Sequence, residues 1–319
     1  MVESRIVIPV VVGSSPIGHP TFPQRIAAPQ KRIQPPLTAR ASAGAALIAN
    51  VGAAVAQIQA NARGAALGRD PEYLHQLRIG IRRLRSSLRA FRELVRRRRA
   101  SCLDRELRAT LRALGPVRDW DVFLQSQFAP VLQREAYARR AAAQRTVRRI
   151  LTQARFQSLL RRVLDWIRSE PWRASADPGA PLGTFGARAL QRLYDAPCGA
   201  AARIDWSNAK RRHRVRIRLK RLRYGSECFA AGFAPEAMYG FQHRLRAMQH
   251  LLGELNDITV QQRLLRELGH GTGLARPIAR AQTRLAARER TLTGAIPKAW
   301  SKLESHPLYW RRAAVRARG

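Results

Sequence analysis

Acidic residues and cysteines are both scarce in this chain of 319 residues. It has 21 aspartates and glutamates against 59 lysines and arginines, which gives a formal net charge of +38. Because such a field opposes compaction, we expect an anionic partner: nucleic acid, an anionic membrane or an inorganic polyanion. The three cysteines form no CxxC pair, which argues against a disulfide scaffold and a zinc site. This cysteine usage favours the reducing cytoplasm.

Aromatic residues and catalytic motifs are also sparse. Aromatics make up 7% of the chain and form no alternating aromatic-basic pattern, which argues mildly against base stacking on single strands. The sequence has no glycine-rich phosphate loop followed by Lys-Ser/Thr, no HExxH motif and no carboxylates at metal-ligand spacing. Since a phosphatase or kinase needs a metal or nucleophile site, we expect no catalysis, no cofactor and no metal.

No segment is a convincing membrane span. The apolar stretch 43–60 is built from Ala and Gly and contains Asn50 and Gln57, so it predicts a helix packed against other helices. The N-terminal run IVIPVVVG is too short to span a bilayer. Glu3 and Pro9 also make it a poor signal peptide, so we expect no export.

The composition that is present favours helices. Arg, Ala, Leu and Gln dominate, and 45% of the residues are hydrophobic, which is enough for a core. We predict an all-α fold with a flexible Pro-rich tail at 1–37, one domain at 38–312 and a basic C-terminal tail at 313–319. The predicted helices lie near 38–66, 71–99, 101–114, 117–137, 138–168, 186–201, 206–231, 235–254, 256–269 and 274–294.

A basic motif occurs twice at a fixed offset. HQLRIGIRRLR (75–85) and HRVRIRLKRLR (213–223) are 138 residues apart, and so are LGPVRDWDV (114–122) and LGELNDITV (252–260). Two matches at one offset predict a duplication, with two four-helix bundles related by a pseudo-twofold. The halves would be 38–170 and 187–312, joined by a linker at 171–186. The chain break at 115–116 should recur at 253–254.

Each copy of the motif predicts a helix with a cationic face beside an apolar one. On a helical wheel, the basic positions of each copy fall in one arc and the leucines in the next. Segments 75–99 and 203–223 each hold ten lysines and arginines and one acid. A solvated face is the ordinary explanation for one such run, but two in register favour anion binding. The arcs consist of His75, Arg78, Arg82, Arg85 and Arg89, and of His213, Arg216, Lys220 and Arg223.

Two further pairs of residues recur at the same offset. His75 and His213 begin the two cationic faces, and we interpret them as anion contacts because a bound phosphate would favour their protonated form. Asp119 and Asp257 each follow 44 residues after the histidine. For these we favour a structural role, either as a helix N-terminal charge or in an ion pair with an arginine of the cationic face.

The pattern His-x-x-Arg-x-x-x-Arg-Arg-Leu-Arg, followed by Leu-Gly-x-x-Arg-Asp-x-x-Val, resembles the CHAD domain, the conserved histidine α-helical domain. The second copy, with Lys220, Arg223, Tyr224 and Glu227, resembles that family's C-terminal repeat. The resemblance covers 38–312. It implies two four-helix bundles, binding of inorganic polyphosphate and association with polyphosphate granules in the cytoplasm. The Glu-x-Glu-x-Lys motif of the CYTH domain that often accompanies this family is absent, so the resemblance is to a stand-alone CHAD protein.

The predicted polyphosphate-binding residues are therefore His75, Arg78, Arg82, Arg83, Arg85, Arg89, His213, Arg216, Lys220, Arg221 and Arg223. The alternatives are a helical protein that binds nucleic acid, a metal-dependent enzyme that processes polyphosphate, and a granule scaffold whose partner is a protein. The sequence leaves open whether the two cationic faces form one continuous site, and it leaves the oligomeric state open.

Overall fold

A computed structural model of the chain describes residues 27–32, 37–95, 97–169, 178–202, 204–269 and 273–311. Within these ranges the regular elements are all helical, which confirms the all-α prediction. The elements are α1 (Ala43–Leu67), α2 (Pro71–Ala90), α3 (Arg97–Ala113), α4 (Gly115–Leu124), α5 (Pro130–Thr152), α6 (Ala154–Arg168), α7 (Leu182–Ala201), α8 (Ala209–Cys228), α9 (Pro235–Gly269) and α10 (Ala275–Glu304), with a 3-10 turn at Ala230–Gly232.

The two motif helices, α2 and α8, occupy equivalent stretches of the chain. Their first residues and their last residues are both 138 positions apart. Each begins at a side-chain cap: Asp70 accepts a hydrogen bond from Glu72 N, and Asn208 accepts one from Arg211 N. The division into two four-helix bundles and the pseudo-twofold stay predictions.

The predicted break at 253–254 is wrong, because α9 runs continuously through it. In the first half, Pro116 has no N–H to donate to the preceding helical turn, and the chain breaks at Leu114, between α3 and α4. In the second half the equivalent residue is Glu254, which keeps its N–H. A single residue type therefore decides whether this stretch is two helices or one.

Several other predicted boundaries shift. The helix α2 ends at Ala90 rather than at 99, the predicted helix 117–137 is interrupted before Pro130, and α7 begins at Leu182 rather than after the predicted linker at 186. Residues 171–177 of that linker, residues 1–26 and 33–36 of the predicted tail, and the tail at 313–319 lie outside the described residues.

Six residues of the predicted flexible tail, 27–32, are held against the helices. Gln30 and Asn61 exchange hydrogen bonds of 3.1 and 2.9 Å, and the Tyr73 hydroxyl donates to Ala27 O at 2.7 Å. Asn61 on α1 and Tyr73 on α2 thus supply partners for the backbone of this segment, while the flexibility of the tail stays a prediction.

The helix α1 lies at the centre of the core. In the described part of the chain it is the one helix long and apolar enough to cross a bilayer, and more than half of its most apolar stretch is buried by other helices. Its polar residues are satisfied there: Asn50 Nδ2 donates to Cys228 O at 3.1 Å, and Gln57 and Gln76 share a 2.9 Å hydrogen bond. This pattern matches the predicted packed helix.

A single large hydrophobic cluster joins the two halves of the sequence. Phe91 from the first half packs against Phe185 and Phe229 from the second, with ring centroids 5.7 and 4.8 Å apart. A smaller cluster, which includes Trp120 and Leu265, joins α4 and α5 to α9 and α10. The core therefore does not divide at the boundary of the predicted repeat.

Gly80 brings α2 close to α1. A Cβ atom at this position would lie 2.8 Å from Ile58 Cγ1 and 3.3 Å from Ala54 O. On the helix, Arg78 and Arg82 lie on the side opposite Gly80, because two residues turn the helix by about 200°. The contact with α1 therefore directs the cationic face of α2 away from α1 and towards α8.

Candidate anion-binding site

The cationic faces of α2 and α8 line one cavity of about 660 Å³, the central cavity. Nine of the eleven predicted residues line it: His75, Arg78, Arg82, Arg85 and Arg89 from α2, and His213, Arg216, Lys220 and Arg221 from α8. The two faces thus form one site, a point on which the sequence was silent, because only the packing of α2 against α8 brings them together.

Three further arginines line the central cavity that sequence reasoning missed: Arg108 and Arg112 of α3, and Arg118 of α4. The wall then carries nine arginines and Lys220 against two acids, Asp119 and Asp257. The four-residue spacing of Arg108 and Arg112 is a signal for one helical face, but it lies outside the repeated motif.

Two arginines at equivalent positions line the central cavity, of which Arg78 is buried and Arg216 is half-buried. Arg78, which is 8% exposed, donates from Nη1 to Leu111 O at 2.8 Å, and Arg216 donates from Nη2 to Asn256 Oδ1 at 2.7 Å. The Nε atoms of both are buried without a hydrogen-bond partner. Among the described residues neither arginine has an acidic side chain within ion-pair distance, so both charges are incompletely compensated.

Burial and mutual repulsion disfavour the charged forms of these side chains. Burial and the neighbouring Arg82 lower the pKa of Arg78 to about 9. Burial lowers the pKa of Arg216 to about 10, although Asp257 opposes the shift. Burial, followed by repulsion from Arg216 and Arg82, lowers the pKa of Lys220 to about 6. A polyanion in the cavity would reverse these costs, because opposite charge favours the protonated forms.

The two histidines also lie in this positive field. Burial and then Arg118 lower the pKa of His75 to about 4, and burial and then Arg216 lower the pKa of His213. His213 Nδ1 lies 3.0 Å from Asn256 Oδ1. Neutral imidazoles at the wall can donate a hydrogen bond to an anion, and a bound anion would favour their protonation.

At one end of the central cavity, Asp104 of α3 holds two of the predicted arginines. Arg85 Nε and Arg89 Nη2 each lie 2.7 Å from one of its carboxylate oxygens. Burial alone would raise the pKa of Asp104, but the hydrogen bond from Arg85 and the charge of Arg89 outweigh it and lower the pKa. The carboxylate thereby orients two guanidinium groups that line the cavity.

The sequence profile of the CHAD domain matches residues 49–266, which is more than half of the chain. The chain belongs to the CHAD domain family. Its structure is similar to the crystal structure of the CHAD domain from the plant Ricinus communis, with 27% identity and a TM-score of 0.77 over 88% of this chain and 98% of that one. PptA from Streptomyces chartreusis shares the fold at 18% identity and a TM-score of 0.61, over 83% of this chain and 100% of that one. No curated protein matches the sequence.

Two of the predicted residues do not reach the central cavity of this CHAD domain. Arg83 Nη2 donates to Glu227 Oε2 at 3.1 Å, and Arg223 Nε lies 3.7 Å from Glu227 Oε1. The guanidinium group of Arg223 also stacks on the Tyr224 ring, 4.9 Å from its centroid. The partly buried carboxylate of Glu227 holds both arginines, and neither is among the residues that line the cavity.

Asp119 and Asp257, the two acids that recur at the 138-residue offset, line the central cavity of this CHAD domain. Asp119 forms an ion pair of 2.8 Å with Arg263 of α9, not with an arginine of the cationic faces, which corrects the predicted partner. Burial raises the pKa of Asp119, and the charge of Arg263 opposes this shift without outweighing it. The Asp257 carboxylate opposes the burial that lowers the pKa of Arg216. Among the residues the structure describes, no three His, Cys, Asp or Glu side chains are grouped as metal ligands.

Proposed function

We propose that this CHAD domain binds inorganic polyphosphate in the central cavity. The observation that carries the proposal is the pair of equivalent arginines Arg78 and Arg216, whose Nε atoms are buried without a hydrogen-bond partner, in a wall of nine arginines and Lys220. Charges that are desolvated and lack an acidic partner gain most from a ligand that supplies several negative charges.

A phosphate polymer fits this wall better than a single phosphate. The basic positions of α2 extend from His75 to Arg89, which is about 21 Å along the helix axis. His213, Arg216, Lys220 and Arg221 of α8 line the same cavity, so a linear ligand would meet cations from both helices. Each added phosphate is held at high effective concentration once its neighbour is bound, and affinity therefore rises with chain length.

The wall suits a polyanion without bases. Among the described lining residues the one Phe, Tyr or Trp side chain is Tyr224, which is 4% exposed and stacked against Arg223. Sequence-independent binding of single strands uses exposed aromatic side chains as stacking platforms. Nucleic acid would therefore gain only phosphate contacts here, and its bases would have to remain outside.

Competition between ligands tests this proposal. At physiological salt, long-chain polyphosphate should displace single-stranded RNA and duplex DNA at equal phosphate concentration, with binding measured by fluorescence anisotropy of a labelled competitor. Binding should fall steeply with salt as counterions are released. Displacement of polyphosphate by either nucleic acid at equal phosphate would contradict the proposal.

A charge reversal links the measurement to the cavity. Arg82→Glu with Lys220→Glu should abolish polyphosphate binding, because both side chains line the central cavity. Arg139→Glu with Arg145→Glu is the matched control, because it makes the same charge change at exposed positions of α5 that line neither this cavity nor its neighbours. A scaffold that recognises a protein would lose its partner in neither variant. Loss of polyphosphate binding in both variants alike would mean that net charge, not the cavity, binds the ligand.

We further propose that the site binds polyphosphate without cleaving it and acts in the cytoplasm at polyphosphate granules. The ion pair of Asp119 with Arg263 supports binding without cleavage, because it holds one of the two cavity acids in a structural contact. Orthophosphate should not be released from polyphosphate with added magnesium or manganese. Release that Asp119→Asn or Asp257→Asn abolishes would establish an enzyme instead. A fluorescent fusion should colocalise with granules, and the Arg82→Glu, Lys220→Glu variant should not.

A further inference from the structure

A second basic depression adjoins the central cavity. This outer cleft, of about 760 Å³, lies between the C-terminal end of α2, the N-terminal half of α3, and α7 and α8. Its wall carries seven arginines against one acid, Asp104: Arg89, Arg92, Arg105, Arg108, Arg192, Arg218 and Arg221. Five of them (Arg92, Arg105, Arg108, Arg192 and Arg218) were not among the predicted site residues, and of these all but Arg108 line the outer cleft alone.

The outer cleft and the central cavity are connected. Arg89, Arg108 and Arg221 line both, so they form a neck between the two spaces. Burial, followed by repulsion from Arg89 and Arg85, lowers the pKa of Arg221, which places its guanidinium group within their field. A linear polyanion that leaves the central cavity through this neck would keep cations beside it throughout.

The guanidinium groups of the outer cleft are only partly compensated. Arg192 pairs with Glu93 at 2.7 Å, and Arg89 pairs with Asp104. Arg218 donates to Ala196 O at 2.8 Å. Within the described residues, Arg92 and Arg105 have no acid at ion-pair distance, and both are exposed. The floor is apolar, with Leu88 and Val95 buried beneath the arginines. When the aliphatic part of an arginine side chain lies on an apolar surface, its guanidinium group is directed at the solvent, where a ligand can reach it.

The helix α8 does not repeat this continuation of the cationic face. At the 138-residue offset, Arg89 corresponds to Glu227. Glu227 pairs with Arg83 at 3.1 Å, with Arg32 at 3.4 Å and with Arg223 at 3.7 Å. The cationic face is therefore continued into a neighbouring cleft by Arg89 of α2, while the equivalent position of α8 carries an acid that is paired with arginines.

We propose that the outer cleft is a second subsite for the phosphate chain, entered through the neck, and occupied only by chains too long for the central cavity. This inference rests on the proposed function. It assigns to Arg92, Arg105, Arg192 and Arg218 the contacts that distinguish long chains from short ones, and it predicts that a bound chain emerges at the α2–α3 side of the protein.

The test compares two ligands and three forms of the full chain. Tripolyphosphate and long-chain polyphosphate are titrated calorimetrically into the wild type, into Arg92→Gln with Arg105→Gln, and into the control Arg139→Gln with Arg145→Gln. Glutamine removes the charge but keeps length and helix propensity. Both pairs replace exposed arginines, so the two variants lose equal charge from different faces.

The outer-cleft variant should lose roughly three- to thirtyfold in affinity for long chains, as expected for two exposed charge contacts, with tripolyphosphate affinity unchanged. For long chains, the slope of log affinity against log salt concentration should decrease in magnitude by about two. The variant Arg192→Gln with Arg218→Gln removes two arginines from the α7 and α8 side of the cleft, and it should show the same loss. Equal losses in the α5 control, or a parallel loss of tripolyphosphate affinity, would overturn the second subsite. A wild type that binds neither ligand would instead overturn the proposed function itself, and this inference with it.

Discussion

At the scale of single residues, the site is defined by cations that are costly to bury. Lys220 shows this most clearly, because burial, Arg216, Arg82 and Arg223 all lower its pKa, while Asp257 raises it. A pKa of about 6 favours the neutral amine of the free protein at pH 7. Binding of an anion beside Lys220 should therefore be accompanied by uptake of a proton from the solvent.

The affinity for tripolyphosphate should consequently depend on pH through Lys220. Binding raises the pKa of Lys220 from about 6, so the complex takes up a proton above that pH, and affinity should fall as pH rises from 6 to 8 by up to about tenfold per unit. Lys220→Arg keeps the charge at every pH and should flatten this part of the profile. The titration of the ligand is common to both proteins, so superimposable profiles would contradict the role of Lys220.

His75 should make the ligand-free protein less stable in acid. Its folded pKa of about 4 lies below the ordinary 6.5, so the unfolded chain binds more protons between these values. The stabilisation is complete above pH 6.5 and is lost as pH falls through 4. His75→Gln should reduce the loss of unfolding free energy between pH 7 and 4 by about 1–2 kcal/mol in urea titrations, after allowance for partial solvent exposure. The control His243→Gln, at an exposed position, should leave this loss of unfolding free energy unchanged.

At the scale of elements, the site depends on how closely α2 lies against α1. Gly80 permits that contact, and Tyr73 of the same helix packs across Gly64 of α1. These contacts set the direction of the cationic face. The matching helix α8 makes a different close contact. The position equivalent to Gly80 is Arg218, and α8 instead approaches α7 closely at Gly225, which lies against Leu193.

A pair of glycine substitutions separates this contact from helix propensity. Gly80→Ala should destabilise the protein by about 1–3 kcal/mol, because the new Cβ would lie 2.8 Å from Ile58 Cγ1 and near the α1 backbone. Gly253→Ala, in the middle of α9 with no atom within 4 Å of the new Cβ, should stabilise it by up to about 1 kcal/mol. Thermal unfolding measures both. Stabilisation by Gly80→Ala would show that α1 and α2 do not approach as described.

At the scale of the whole molecule, one core joins the two halves and the central cavity lies between them. Phe91 is fully buried and stacks on aromatic rings of α7 and the α8 end, both in the second half. The Asp119–Arg263 ion pair likewise crosses the halves. The cavity can keep its shape only while this interface is intact, so binding and global stability are linked.

The chain should therefore unfold as one cooperative unit. Phe91→Ala should cost about 3–5 kcal/mol and move the urea transitions of circular dichroism and tryptophan fluorescence together. Trp166 lies in the first half, and Trp206, Trp300 and Trp310 lie in the second, so fluorescence reports on both. Two separated transitions, with only one shifted, would show that the halves fold independently. Saturating polyphosphate should raise the midpoint of the single transition.

The local order of the residues was enough to predict the helical class, the two motif helices and most of the cationic face. Helical periodicity and caps such as Asp70-Pro71 act within a few residues, so they can be read directly from sequence. The prediction from the repeat failed where the halves differ. Glu254 occupies the position equivalent to Pro116, but it has the backbone N–H that proline lacks, so the helix continues.

Only the tertiary structure decided which arginines share a space. Arg83 and Glu227 are 144 residues apart, and their pairing removes one predicted residue from the site. Arg108 and Arg118 enter it because α3 and α4 pack across the end of α2. Local sequence determines which face of a helix carries charge, since that depends on periodicity alone. What the face meets depends on long-range packing and on which acid captures which arginine, so one continuous cationic cavity, open at the α2 end, emerges only in the folded chain.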